Sequence, residues 1–307
     1  MKKILITGSS GMVGRNFVNL LKKKNNKYLT PNSKELNLLN KNSIKKFLSN
    51  NKIDTVLHLA AKVGGIQANI KNNLDFYLLN SAINFNLITE CYHMKIPKLR
   101  NIASTCIYPA NIKTKLSENM LFSGKLEITN EGYALAKLNS LKLCEYISKQ
   151  NKSLSYKTII PCNMYGLYDK FEEGKSHLVP AIIHKLIQAK LNNEKSVTIW
   201  GSGNARREFM FAEDFAKIII KILDNFDNLP GLMNIGTGKD YRIIEYYKIV
   251  KKIINWKGSW IFDLNKPEGM KRKLADISKL KELNLMPKTS LELGIKKTIK
   301  YYNDKTI

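Results

Sequence analysis

Tyr133 and Lys137 stand four residues apart in Glu131-Gly-Tyr-Ala-Leu-Ala-Lys137. On a helix this spacing puts both side chains on one face, a turn apart. An ammonium beside a phenol favours the phenolate, so Lys137 is expected to lower the pKa of Tyr133. The phenol could then give its proton to a carbonyl oxygen as hydride reaches the carbonyl carbon. With 14 tyrosines in a lysine-rich chain, Tyr-x-x-x-Lys also arises by chance. Ser104 raises its weight, because at the end of an expected strand its hydroxyl can hold the same carbonyl oxygen.

A second piece of chemistry opens the chain. Thr7-Gly-Ser-Ser-Gly-Met-Val-Gly14 places Gly8, Gly11 and Gly14 directly after an expected first strand and before a helix. Gly8 permits a tight turn, Gly11 lets backbone approach a pyrophosphate, and Gly14 lets the helix pack close on the strand. The N–H groups at the helix start complete an anion site. The pattern predicts a bound dinucleotide. Which one depends on the tip of strand two, read as Tyr28-Leu29-Thr30 followed by Pro31-Asn-Ser-Lys34. An acid there would bind a ribose 2′-hydroxyl, and a basic residue a 2′-phosphate. No acid stands at the tip and Lys34 is near it, which favours NADP over NAD.

These groups need a scaffold. The first half of the chain alternates short β-branched runs with longer amphipathic stretches, the pattern of a parallel sheet wrapped by helices. Strands are expected at Lys3–Thr7, Thr55–Ala60, Leu99–Ser104 and Lys157–Pro161. Helices are expected at Val13–Lys24, Ser43–Asn50, Asn72–His93 and Tyr133–Lys149. Later, a strand and glycine turn occupy Val197–Gly203, and helices at Asp240–Lys252 and Leu291–Tyr301 flank a strand near Trp260-Ile-Phe262. The fold class is α/β: a Rossmann-type doubly wound parallel sheet with a smaller C-terminal α/β substrate lobe. Residues 1–165, with a segment returning at about 207–237, are expected to form the dinucleotide domain. Residues 166–206 and 238–307 form the second lobe, with the ligand cleft between the two.

Composition narrows the partners. At 307 residues, 44% hydrophobic and 25% charged, the chain reads as an ordinary globular protein. No apolar run approaches the ~20 residues needed to cross a bilayer. The apolar start after Met1-Lys-Lys breaks too early for a signal peptide, so no membrane partner and a cytoplasmic location are expected. The net charge of +26 suggests a nucleic-acid binder. Yet only six of 51 basic residues are arginine: Arg15, Arg100, Arg206, Arg207, Arg242 and Arg272. Dispersed lysine lacks the bidentate fork that reads phosphate and guanine, so no nucleic-acid partner is expected. The charge still suits a doubly anionic small substrate. Cys91, Cys106, Cys144 and Cys162 show no metal-ligand spacing; no metal is expected, and all but Cys106 read as core thiols.

Five segments carry a resemblance: Ala60-Ala-Lys-Val-Gly-Gly-Ile66, Ser104-Thr-Cys-Ile-Tyr-Pro109, Thr129-Asn-Glu-Gly-Tyr-Ala134, Ser176-His-Leu-Val-Pro-Ala181 and Trp200-Gly-Ser-Gly-Asn-Ala-Arg-Arg-Glu-Phe209. They are similar to those of the GDP-L-fucose synthase family, and the glycine spacing is that of the short-chain dehydrogenase/reductase branch. Those extended reductases are 3,5-epimerase/4-reductases acting on GDP-4-keto-6-deoxymannose. The similarity runs from the first strand to Lys273.

The resemblance implies roles. Ser104, Tyr133 and Lys137 would reduce C4, Cys106 would be the base at C3 and C5, and His177 the acid on the opposite face. NADPH would be the hydride donor, contacted by Gly8, Ser10, Gly11, Met12, Val13, Gly14, Asn37, Leu38, Ala60, Ala61, Lys137, Pro161, Asn163, Met164 and His177. Asn163, Lys185, Trp200, Arg207 and Lys273 would bind the GDP-4-keto-6-deoxy sugar, with Arg207 and Lys273 on its diphosphate. The plainer readings are a buried strand-end thiol for Cys106, a loop histidine for His177 and a core aromatic for Trp200. His58, His93 and His184 read as surface or packing residues. The chain departs from the family at Ser10 and at Pro31–Lys34, where arginines are usual, and at Thr105 and Lys185. The resemblance also implies a homodimer through the helix from Asn72 and the helix bearing Tyr133. Two rival readings are a C4-reductase of another GDP-4-keto sugar (a heptose or dideoxy sugar), and a non-catalytic dinucleotide- or RNA-binding relative.

Overall fold

Ile4, Leu5, Ile6 and Thr7 are all buried in β1 (Lys3–Thr7), as a central parallel strand covered by helices on both faces requires. The structure is a computed structural model and describes residues 3–21, 27–172, 176–224, 229–266 and 269–306. After β1 come α1 (Met12–Leu21), β2 (Lys27–Leu29), α2 (Lys41–Asn51), β3 (Thr55–His58), α3 (Ile66–Lys71), α4 (Asn73–His93) and β4 (Lys98–Ile102). The middle holds α5 (Glu131–Gln150), β5 (Ser155–Pro161), β6 (Asn163–Tyr165), α6 (Leu178–Leu191), β7 (Ser196–Trp200), β8 (Arg206–Arg207), β9 (Phe209–Phe211) and α7 (Ala212–Asp224). The remainder is β10 (Leu232–Ile235), β11 (Tyr241–Arg242), α8 (Ile243–Ile254), β12 (Ser259–Asp263), β13 (Arg272–Lys273), α9 (Ser278–Glu282) and α10 (Leu291–Thr306).

Six strands form one parallel sheet in the order β10-β5-β4-β3-β1-β2. The chain leaves β1 on one side for β2 and resumes on the other at β3. That reversal opens a crevice at the carboxyl ends of the strands, the usual ligand position in doubly wound sheets. On one face α1 and α7 bury Phe17, Leu21, Phe215, Ile219 and Ile222. On the other, α2, α4 and α5 bury Ile44, Leu48, Leu87, Cys91, Cys144 and Ile147. A second core joins α6, α8 and α10 to the β7–β12 pair around Ile183, Leu186, Ile199, Tyr246, Val250 and Ile295.

The α/β class and the first four strands follow the expectation, with ends shifted by a few residues. The expected helix at Val13–Lys24 is α1, and its positions 22–24 lie outside the described residues. The expected strand Leu99–Ser104 stops at Ile102, so that Ser104 instead caps a short turn, Thr105–Ile107. Helices α6 and α7 went unread. The run Ile218-Ile-Ile220 in α7 is β-branched and fits a buried strand equally well. The two-residue strands β8, β11 and β13 have no sequence period at all; they exist because distant segments meet.

Candidate active site

A cleft of ≈ 590 Å³ runs along the carboxyl ends of β1, β3, β4 and β5. The glycine turn forms one wall. Gly8 has φ +70° and a Cβ there would stand 2.7 Å from Ala60 N, while at Gly14 it would meet Gly8 O at 2.2 Å. Both are glycines for packing. Gly11 is different: an added Cβ would meet only Gly8 O, at 3.4 Å. Its demand comes from the cleft side, where α1 presents its N-terminus. All fifteen residues expected to contact a dinucleotide line this cleft, from Gly8 and Ser10 to Met164 and His177. The residues present therefore fit a dinucleotide. At the β2 end the lining is Pro31, Asn32 and Ser33, with Lys34 outside it.

The opposite wall carries the tyrosine–lysine pair on α5. This helix begins hard against α4: Gly132 N donates to Asn73 Oδ1 at 2.6 Å, and a Cβ on Gly132 would lie 2.3 Å from Asn73 O. Phe76 of α4 meets the Tyr133 ring edge-on at 6.5 Å between centroids. Lys137 Nζ is buried, donates to Ile102 O at 2.9 Å and lies 5.9 Å from the Tyr133 ring centroid. Ser104 completes the group from the end of β4 and shares the cleft with both.

The expectation that Lys137 lowers the Tyr133 pKa is corrected. Burial, and then the neighbouring Cys106, raise it, because a phenolate here would lose its water. Tyr133 is therefore held as the neutral phenol. Burial lowers Lys137 to about 8, against an upward pull from Cys106.

Cys106 is buried in the turn after Ser104, whose hydroxyl accepts from Cys106 N at 3.5 Å. Burial raises its thiol pKa, while Lys273, the Ser104 hydrogen bond and Lys137 pull it back. Cys106 thus sits within the field of two lysines without lining the cleft itself. His177 does line it, from the N-cap of α6, with its pKa lowered by burial and by Lys170.

Of the other expected ligand groups, Asn163 lines the cleft, while Lys185, Trp200, Arg207 and Lys273 lie outside its lining. Asn163 donates through Nδ2 to Glu208 O at 3.2 Å. Lys185 on α6 donates to Thr198 O at 2.7 Å, and Lys266 lies over the Trp200 ring at 5.5 Å. Arg207 and Lys273 sit side by side on β8 and β13, in register.

Of its two readings, surface or packing, His58 is the packing residue. It is fully buried, with Nδ1 2.8 Å from Thr7 Oγ1 and Nε2 3.0 Å from Asn84 Oδ1. Asn84 Nδ2 in turn donates to Ala136 O at 3.3 Å, so the ring proton is assigned to Nε2. Burial and Lys137 hold the ring neutral, with a pKa of about 3. The end of β1 and helix α5 are thereby joined through His58 and Asn84. His93 is exposed, and His184 pairs with Tyr302 Oη at 2.8 Å.

Sequence reasoning passed over Lys62, Gly64 and Asn69, which also line the cleft. The signal was present, since Lys62 and Gly64 belong to the Ala60–Ile66 motif of which only the alanines were used. A Cβ on neighbouring Gly65 would lie 2.6 Å from Ser176 O, so this loop abuts the segment that brings His177.

The family model described as NAD dependent epimerase/dehydratase matches residues 4–236. The chain is 47% identical over 300 residues to GDP-L-colitose synthase of Yersinia pseudotuberculosis, covering 98% of this chain and 97% of that protein. It is 46% identical over 301 residues to GDP-L-fucose synthase of Azorhizobium caulinodans, covering 98% and 96%. Among solved structures, a GDP-mannoheptose C4 reductase from Campylobacter jejuni with NADP bound superposes with TM-score 0.89 at 31% identity, covering 98% of both chains.

Proposed function

The chain belongs to the NAD dependent epimerase/dehydratase family, and on that premise we propose that it converts GDP-4-keto-6-deoxy-D-mannose to GDP-L-fucose with NADPH. One observation carries the reading: Ser104, Tyr133, Lys137 and His177 share a single cleft with the glycine turn. When bound, NADPH supplies a hydride to C4. Ser104 holds the C4 oxygen and Tyr133, kept neutral by burial, gives it a proton. Lys137, its Nζ 5.9 Å from the Tyr133 ring centroid, supplies the neighbouring positive charge. Before reduction, Cys106 removes the protons at C3 and C5 that the C4 ketone makes acidic. His177 returns a proton from the other side of the ring. Burial and Lys170 lower its pKa, which makes the protonated imidazole a stronger acid but a smaller share of the population. Arg207 and Lys273 hold the diphosphate, with Asn163, Lys185 and Trp200 around the nucleotide.

A second reading keeps the reduction and changes the sugar, since relatives are named for colitose and for a heptose. Purified protein incubated with NADPH and GDP-4-keto-6-deoxymannose is expected to yield GDP-L-fucose, identified by NMR. Reduction without inversion at C3 and C5 would remove the epimerase half. Turnover only on a different GDP-4-keto sugar would establish the second reading.

We assign the enzyme to the cytoplasm, which suits four free, buried cysteines. Among the described residues no helix is long and apolar enough to cross a membrane. We also assign a homodimer through α4 and α5, whose outer faces leave Leu74, Leu78, Phe85, Leu135 and Tyr146 exposed. Sedimentation should show a dimer that Phe85→Glu dissociates; a wild-type monomer would overturn the assignment.

A further inference from the structure

Two adjacent strands of two residues each carry four cations in register: Arg206 beside Arg272, and Arg207 beside Lys273. Side chains alternate along a strand, so the pairs point to opposite faces. Arrays this short have few ladder hydrogen bonds, and four like charges on them repel. A single buried carboxylate answers this. Asp240 accepts from Arg206 Nε at 3.0 Å and Nη2 at 2.9 Å on one oxygen, and from Arg272 Nε on the other. Its backbone oxygen also accepts from Arg206 Nη2, at 2.8 Å. Glu245 adds only a looser contact, 3.9 Å from Arg206. Asp240 directly precedes β11, the strand on the far side of β8, so one residue fastens all three strands.

The other face turns toward the chemistry. Lys273 is electrostatically coupled both to Cys106 and to Arg207, and Arg207 Nη1 is held by the backbone oxygens of Arg206 and Met270. Glu208 anchors the far end of β8, accepting from Thr237 N at 2.6 Å, Gly238 N at 2.7 Å and Ala275 N at 2.9 Å.

We propose that Asp240 is a positioning residue for a nucleoside diphosphate. By retaining Arg206 and Arg272 on one face of the β8–β13 pair, it presents Arg207 and Lys273 together on the other. The inference rests on the reading of Arg207 and Lys273 as the diphosphate-binding pair. Neither carboxylate oxygen of Asp240 touches the ligand; its effect is on where the two cations stand.

The test compares binding of GDP, GMP and NADPH to the full-length protein by calorimetry. Asp240→Asn should weaken GDP by about tenfold, the scale of one lost charge-assisted hydrogen bond, and GMP by less. NADPH affinity should stay as in wild type, while KM for the sugar nucleotide rises. Asp240→Glu, which keeps the charge, should recover most of the loss. A general structural defect would instead lower GDP, GMP and NADPH binding alike, and would overturn the proposal. Arg207→Ala separates the two layers. If it weakens GDP while Asp240→Asn does not, the positioning role is wrong and the diphosphate reading stands. If Arg207→Ala leaves GDP unaffected, that reading falls and the proposal with it. Should Asp240→Asn fail to fold, Arg272→Gln, which releases β13 alone, carries the same expectations.

Discussion

Replacing Tyr133 by phenylalanine is expected to slow ketone reduction by ~10²–10⁴-fold, the usual contribution of a positioned general acid. Solvent deuterium exchange at C3 and C5 of the substrate should continue, because Cys106 and His177 remain. The variant removes one oxygen and keeps the ring, so the edge-on contact with Phe76 and the packing of α5 on α4 persist. Loss of both activities together would place Tyr133 in binding rather than proton transfer. The pH dependence is a second arm of the same expectation. Tyr133 is raised by burial and stays protonated across the working range. Lys137, lowered to about 8, is charged below that pH and neutral above it. The reduction rate should therefore hold at lower pH and fall as pH rises through about 8. A rate still climbing above pH ~9 would contradict the assignment of Lys137.

Cys106→Ser is expected to give the converse: exchange at C3 and C5 lost by ~10²–10⁴-fold, with hydride transfer to the unepimerised ketone remaining. A base must be ionised, and burial disfavours the thiolate. Lys273 and Lys137 offset that cost only in part. Exchange in the wild type should thus rise with pH as the thiolate fills, opposite in sign to the reduction step. A serine hydroxyl does not ionise under these conditions, so the rise should vanish with the variant. Exchange that survived Cys106→Ser with its pH dependence intact would remove Cys106 from the base role. NMR of the sugar in deuterium oxide reads both steps on one sample.

Much of this was legible along the chain because its causes are local. The spacing of Gly8, Gly11 and Gly14 stands in the sequence itself, and Gly14 answers to backbone one turn away at Gly8 O, although Gly8 also answers to distant Ala60. Tyr133 and Lys137 share a helix face by spacing alone, and the short strands β1, β3, β4 and β5 alternate with longer amphipathic stretches, the pattern of a parallel sheet wrapped by helices. The family segments extended this to Cys106 and His177. Helix α7 escaped because its run Ile218-Ile-Ile220 reads locally as a strand, although Phe215, Ile219 and Ile222 mark one helical face, and α6 because its apolar residues do not keep to one face.

What tertiary structure decided were the quantities that depend on which distant segments meet. The Tyr133 pKa moved opposite to the expectation, since desolvation by packed neighbours outweighs a lysine whose Nζ is turned to Ile102 O. His58 became a neutral bridge between the end of β1 and, through Asn84, helix α5 because β1, β3 and α4 converge on it. Asp240 meets Arg206 and Arg272 only because β8, β11 and β13 come together. Spacing in sequence encodes contacts within an element; burial and charge coupling arise between elements, and only the assembled fold contains them.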